Sequence, residues 1–183
     1  MTGSRIFWLV IAAMWAIAAL CFIAALSEDA DAQPVEVFVR EQANLERNTG
    51  WIVLRDPLTD DVLGTYEFVS GGFGRGSAPF GEYEIGAYRD DGWIGGRWEI
   101  HQVGVEPGDE GRSAFDPRIG AMRTWLQIHT MHGFGHTDGT LGCIGVRGGA
   151  DVWAEFQFFM NYIVRFFGPV KFQFGPFVDA RLG

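Results

Sequence analysis

Cysteine is nearly absent from this chain. There are two among 183 residues, and Cys21 lies inside an uncharged apolar run, so the remainder holds Cys143 alone and cannot form an internal disulfide. Positive charge is scarce as well, with 14 Lys and Arg against 23 Asp and Glu. Once Arg5 is set apart with the N-terminal segment, the remainder has 13 basic against 23 acidic residues, a net −10. That balance argues against nucleic acid or an anionic membrane surface as a partner. Internal repeats, low-complexity tracts and signs of a second domain are missing too. What is left is length enough for one ordinary domain with a real core.

Long apolar runs number one. Ile6 to Leu26 span 21 positions without a charge, and about 20 apolar helical residues match a bilayer core. Arg5 precedes the run while Glu28, Asp29 and Asp31 follow it, which leaves the positive flank in the cytoplasm and exports the rest. Residues 1–32 are therefore expected to form a transmembrane anchor or signal segment. The run exceeds the roughly 7–15 apolar residues of a signal-peptide core, which favours an anchor at residues 6–26 of a periplasmic or otherwise extracytoplasmic protein. Cleavage after the small residues Ala30 to Ala32 would instead give a secreted one. Cys21 reads as a small hydrophobe of the membrane helix.

Residues 33–49 read as a connector, with a strand or helix of undecided type in "VEVFVREQANLE". From residue 50 the β signals dominate. "GWIVLRDPLTDDVLGTYEFVSG" places two β-rich runs around an Asp-Pro-Leu-Thr-Asp-Asp turn, the pattern of a hairpin. Further β-like runs are "YEIGAY" (83–88), "WEIHQV" (98–103) and "TWLQIH" (124–129). One helix is predicted from Asp151, the expected N-cap, because apolar residues at 152, 153, 156, 159, 160, 163 and 164 follow helical spacing; Gly168 and Pro169 end it. "VKFQF" then alternates like a strand. The expectation is a mainly β domain over residues 50–183 with one late α-helix, preceded by the N-terminal transmembrane helix. Most aromatic residues fall at core-facing positions, so packing accounts for them better than a sugar-binding platform, with Trp93 and Trp98 as exceptions in a Gly-rich segment.

Three of the four histidines and Cys143 crowd into "HTMHGFGHTDGTLGCIGVRGG", residues 129–149. Three readings suit such a stretch. In the first, Cys143 is a nucleophile, with His129 delivered as its base from the edge of "LQIH" and with His132 and His136 as rivals for that role. Gly142 and Gly145 would let a substrate carbonyl approach the backbone, and the Gly142 and Cys143 amides would form an oxyanion hole. In the second, His-x2-His-x3-His-x6-Cys supplies four zinc ligands. Structural zinc sites usually draw ligands as two separated pairs, and a Gly-rich loop this short would have to wrap all four, so no metal is expected. The third is a solvated loop beside an inert thiol. His101, mid-strand in "WEIHQV", reads as an ordinary strand histidine.

The same residues carry a resemblance. "LQIHTMHGFGHTDGTLGCIGV" resembles the signature of L,D-transpeptidases of the YkuD type, in which a histidine precedes a Ser/Thr-x-Gly-Cys-Ile segment by a little over a dozen residues. "GSAPFGEYEIG" (76–86) is similar to the Pro-x-Gly-x-Tyr/Phe-x-Ile segment that precedes the motif in that family. "GRSAFDPRIGAMRTWLQIH" resembles the Arg-x-x-x-x-Ile-His approach of its shorter branches. The likeness covers roughly residues 50–175. Leu141 stands where the usual pattern has a second histidine, and the spacing from His129 to Cys143 is 14.

The resemblance implies a β-sandwich or barrel-like domain acting on peptidoglycan stem peptides without a cofactor. It implies that His129 takes the Cys143 proton and that the thiolate attacks an L,D peptide bond. The oxyanion then rests on the Gly142 and Cys143 amides, D-alanine leaves, and the thioester passes to an amine or to water. Stem carboxylates would meet nearby arginines, Arg147 and Arg123 ahead of Arg112 and Arg118, and Thr140, His132 and His136 would line the substrate side. Two alternatives remain: an L,D-carboxypeptidase or endopeptidase on the same substrate, and a non-catalytic wall-binding module, with or without zinc on the histidine cluster.

Overall fold

A computed structural model describes residues 33–43, 46–90, 95–106, 112–131 and 139–176. Ten strands and one helix follow in order: β1 (Val35–Ala43), β2 (Arg47–Arg55), β3 (Val62–Gly71), β4 (Gly81–Arg89), β5 (Arg97–Gln102), β6 (Arg112–Asp116), β7 (Ala121–Thr124), β8 (Gln127–Thr130), β9 (Ile144–Val146), α1 (Ala150–Phe167) and β10 (Val170–Pro176). Eight strands close a barrel in the order β1-β10-β4-β5-β8-β9-β3-β2, and β6 and β7 form a separate two-stranded ribbon. The barrel, mainly β with one late helix, is what the strand-rich sequence calls for.

Alternation builds the core. Along β2 every second residue is buried, so Ile52 and Leu54 point inward while Arg47, Thr49, Trp51 and Val53 point out. The inward residues of the other strands, among them Phe68, Tyr83, Trp98, Ile100, Ile128, Ile144, Phe172 and Phe174, fill the interior with Trp153, Phe156, Met160 and Ile163 of α1. An eight-stranded barrel is just wide enough for side chains to fill. Phe156 packs edge-on against Tyr66 and Trp98, with centroids 5.0 and 5.8 Å away. Trp98 is fully buried, a packing residue and no sugar platform; Trp93 lies outside the described residues.

Several expectations are corrected. Residues 33–49 are no connector: Val35, Val37 and Val39 are buried, and β1 pairs with both β2 and β10. The alternation Val-x-Val-x-Val there is a strand signal of period two that the polar residues after Arg40 obscured. The helix N-cap is Gly149, without a side-chain cap, and Asp151 sits in the first turn, where its charge still favours the helix N-terminus. "TWLQIH" is not one strand. Trp125 adopts φ +59 and separates β7 from β8. The expected membrane run, residues 6–26, lies outside the described residues, among which no helix is long and apolar enough to cross a membrane.

Candidate active site

β8 and β9 run parallel side by side, with His129 opposite Gly145 and Ile128 opposite Ile144. Ile128 and Ile144 point into the core, so His129 points to the outer face. Cys143, two residues before Gly145, belongs to that face as well. Both line one cavity of about 690 Å³, whose walls include Phe73, Trp125, Leu126, Met131, Thr140 and Leu141. The structure thus brings together the imidazole and thiol singled out from sequence, although 14 residues separate them in the chain.

The His129 ring is oriented by its own strand. Nδ1 lies 2.7 Å from the Thr130 carbonyl oxygen, an acceptor, so Nδ1 carries the proton and the neutral ring has its lone pair on Nε2. Burial and, less strongly, the Arg97 guanidinium hold the imidazole below its ordinary pKa, against a raising backbone hydrogen bond at Thr130. His129 therefore rests neutral at pH 7 and is able to accept a proton.

Cys143 is half-buried and is the free thiol among the described residues. Its Sγ donates to the Trp125 carbonyl at 3.5 Å, a group turned toward it by the left-handed backbone at Trp125. Burial pushes the thiol up to about 11, opposed by hydrogen bonds from the Gln127 and Cys143 backbone and by the charges of Arg123 and Arg97. Thiol and imidazole consequently rest as a neutral pair.

Thr140 holds the loop that presents Cys143. Its hydroxyl accepts the amides of Gly71 (2.9 Å) and Gly142 (3.2 Å) and donates to the Cys143 carbonyl (2.6 Å). This corrects two expectations. Thr140 is a fastener of the loop before it is a substrate contact, and the Gly142 N–H is engaged by Thr140 and does not stand open as an oxyanion donor. Gly142 itself is required by shape: its φ is +117, and a Cβ there would run into the Arg123 guanidinium.

The arginines divide. Arg123 is buried and donates to the Leu141 carbonyl at 2.8 Å, to the Gly76 carbonyl at 3.4 Å and to Asp116 Oδ2 at 3.2 Å. Arg118 donates to Asp116 Oδ1 at 2.8 Å and to the Ser77 carbonyl at 2.7 Å. Arg123 is a strut between the 75–79 loop, the β6–β7 ribbon and the Cys143 loop, and Arg118 between the first two, in place of the carboxylate clamps expected. Asp116, buried between them, is held below the usual carboxylate range, chiefly by the Arg118 hydrogen bond. Arg147 lines a different cleft. Of Arg112 only the backbone is described.

Two cations unremarked in the sequence line the Cys143 cavity instead, Arg97 and Arg75. Arg97 is buried and is the cross-strand partner of His129 in the β5–β8 pair. A signal existed in "GGRWEI": a cation heading an otherwise apolar strand. Its neighbour on β8 is not readable without the strand order. His132 and His136 lie outside the described residues, among which no group of three or more potential metal ligands occurs. Comparison of the chain with protein-family models, with curated proteins and with solved structures finds no match.

Proposed function

We propose that the chain is a cysteine acyltransferase of the L,D-transpeptidase type, working on peptidoglycan stem peptides outside the cytoplasmic membrane, to which residues 6–26 hold it. One observation carries this reading: His129 and Cys143 share the outer face of adjacent parallel strands and line one cavity. A neutral imidazole with its lone pair on Nε2 is the form able to take a thiol proton.

Because the thiol rests protonated, attack and proton transfer are coupled. His129 Nε2 accepts the proton as Sγ bonds to the L,D carbonyl carbon, whose electron pair moves to oxygen. The backbone amides of Cys143 and Gln127, which both hydrogen-bond toward the sulfur, take up the developing oxyanion in place of Gly142. Collapse breaks the C–N bond, and the imidazolium returns its proton to the departing D-alanine amine. The thioester then passes to an amine, or to water in the carboxypeptidase variant of the same chemistry.

Arg97 supplies the carboxylate recognition expected of Arg147 and Arg123. A carboxylate docked on Arg97 also cancels the positive field that depresses His129, so substrate binding strengthens the base at the moment it is needed. The test is incubation with tetrapeptide stems, with D-alanine and cross-linked or trimmed products measured by mass spectrometry. Cys143→Ala abolishes D-alanine release and the thioester adduct while circular dichroism stays unchanged. Undiminished release from that variant refutes the proposal.

A further inference from the structure

On the barrel's outer surface, beyond the Cys143 cavity, three arginines converge on a cleft of about 270 Å³: Arg40, Arg47 and Arg147, with Trp51 and Glu67. The fold places them there through three separate devices. Arg47 and Trp51 are outward residues of β2 by its strict alternation. Trp51 faces Glu67 of β3 in register, and the backbone amide of Arg147 donates to the Glu67 carbonyl at 2.8 Å, which brings the residue after β9 into the same row. Arg40 sits at the β-bulge between Val39 and Glu41. A bulge re-aims the side chain it carries, and here it sets the guanidinium over the Trp51 ring, 5.2 Å from its centroid.

We infer that this cleft is a second binding site, for an oxyanion group: a phosphoryl group or a carboxylate. Among the described lining residues, three carry guanidiniums and one a carboxylate, a donor-rich surface suited to an oxyanion. The guanidinium fork matches both oxyanions. Arg47 Nε is buried and has no protein acceptor among the described residues; burying such a donor unmet costs free energy that an incoming oxygen would recover. The cleft's size fits one small group, with the body of the ligand outside.

The portion after the apolar run carries a net −10, a field that repels free anions at long range. A local cationic cleft on such a body selects anions presented on a larger neutral or mixed ligand. Arg147 follows Cys143 by four residues along one strand line, about 13 Å at strand rise, so a polymeric ligand held here passes near the thiol. The site stands whether or not the acyl-transfer reading does.

The experiment titrates the full-length chain with inorganic phosphate and, separately, with succinate. The readout is the Trp51 indole ¹H–¹⁵N resonance, assigned through Trp51→Phe. A saturable shift with phosphate alone identifies a phosphoryl source, with succinate alone a carboxylate source, and with both the shared oxyanion chemistry. Arg47→Gln and Arg147→Gln each weaken the response at least tenfold, while Arg165→Gln on α1 leaves it unchanged; should Arg47→Gln fail to fold, Arg147→Gln carries the comparison. No Trp51 shift up to about 10 mM of either anion, ten times a weak Kd of about 1 mM, overturns the proposal. So does an equal response in Arg147→Gln.

Discussion

The Thr140 hydroxyl donates to the Cys143 carbonyl at 2.6 Å while accepting two amides of its own, so one side chain fixes the backbone on both sides of the thiol. Thr140→Val keeps the shape and removes all three bonds, leaving buried amides unmet. We expect a loss of about 2–4 kcal/mol in urea unfolding and a collapse of D-alanine release. Thr140→Ser restores most of both. A valine variant as stable and active as the parent would show that the loop is held by other contacts.

Cys143, with its thiol pushed up to about 11, alkylates slowly in the folded chain. Against an ordinary thiol near 8.5, the rate with iodoacetamide at about pH 8 is expected some two orders of magnitude below that of the urea-unfolded chain. It climbs about tenfold per pH unit toward 11. A plateau near pH 8 would contradict the resting protonated thiol.

Arg97→Gln acts on both partners with opposite consequences. Arg97 lowers the pKa of His129 and of Cys143, so its removal raises both. The acid limb of kcat/KM moves to higher pH, alkylation slows at fixed pH, and KM for a stem bearing a free carboxylate rises about tenfold or more. An amidated stem is affected little. Equal losses on the two stems would assign Arg97 a structural role.

Acid stability follows from two buried groups. His129 has a depressed folded pKa, so the unfolded chain binds its proton first; this contribution to stability is complete above the unfolded value of about 6.5 and is lost as pH falls below it toward the folded pKa. Asp116 is depressed too, and its contribution persists until pH drops below about 3.9 and through the folded value. Chemical denaturation between pH 7 and 5 should therefore show a decline that His129→Gln flattens, and Asp116→Asn should not alter it.

Asp116→Asn tests the struts directly. It strips the countercharge from Arg118 and Arg123, two cations that hold the 75–79 and Cys143 loops. Removing one partner of a buried pair costs about 3–5 kcal/mol, read as a lowered Tm. A neutral outcome would mean the backbone carbonyls alone suffice.

The hairpin at 56–61, the helix and the closing strand were legible because each rests on local chemistry: turn residues, apolar spacing, a terminal glycine. The thiol and imidazole were legible because histidine and cysteine are rare here and clustered. Other features came from pairing between distant segments. Arg97 meets His129 only because β5 and β8 are neighbours, and Arg123 reaches Leu141 across 18 residues. The engagement of the Gly142 amide by Thr140 was likewise hidden, since glycine advertises an open backbone without naming what already occupies it.

Val37 of β1 pairs in parallel with Phe174 of β10, so the first described strand and the last are stitched to each other. Closure has to wait for β10, and until then β1 and β4 present bare edges. A fragment started at residue 50 would lack β1, the strand that joins β10 to β2, and would be drawn toward edge-to-edge association, which makes β1 the gatekeeper of solubility as well as of shape.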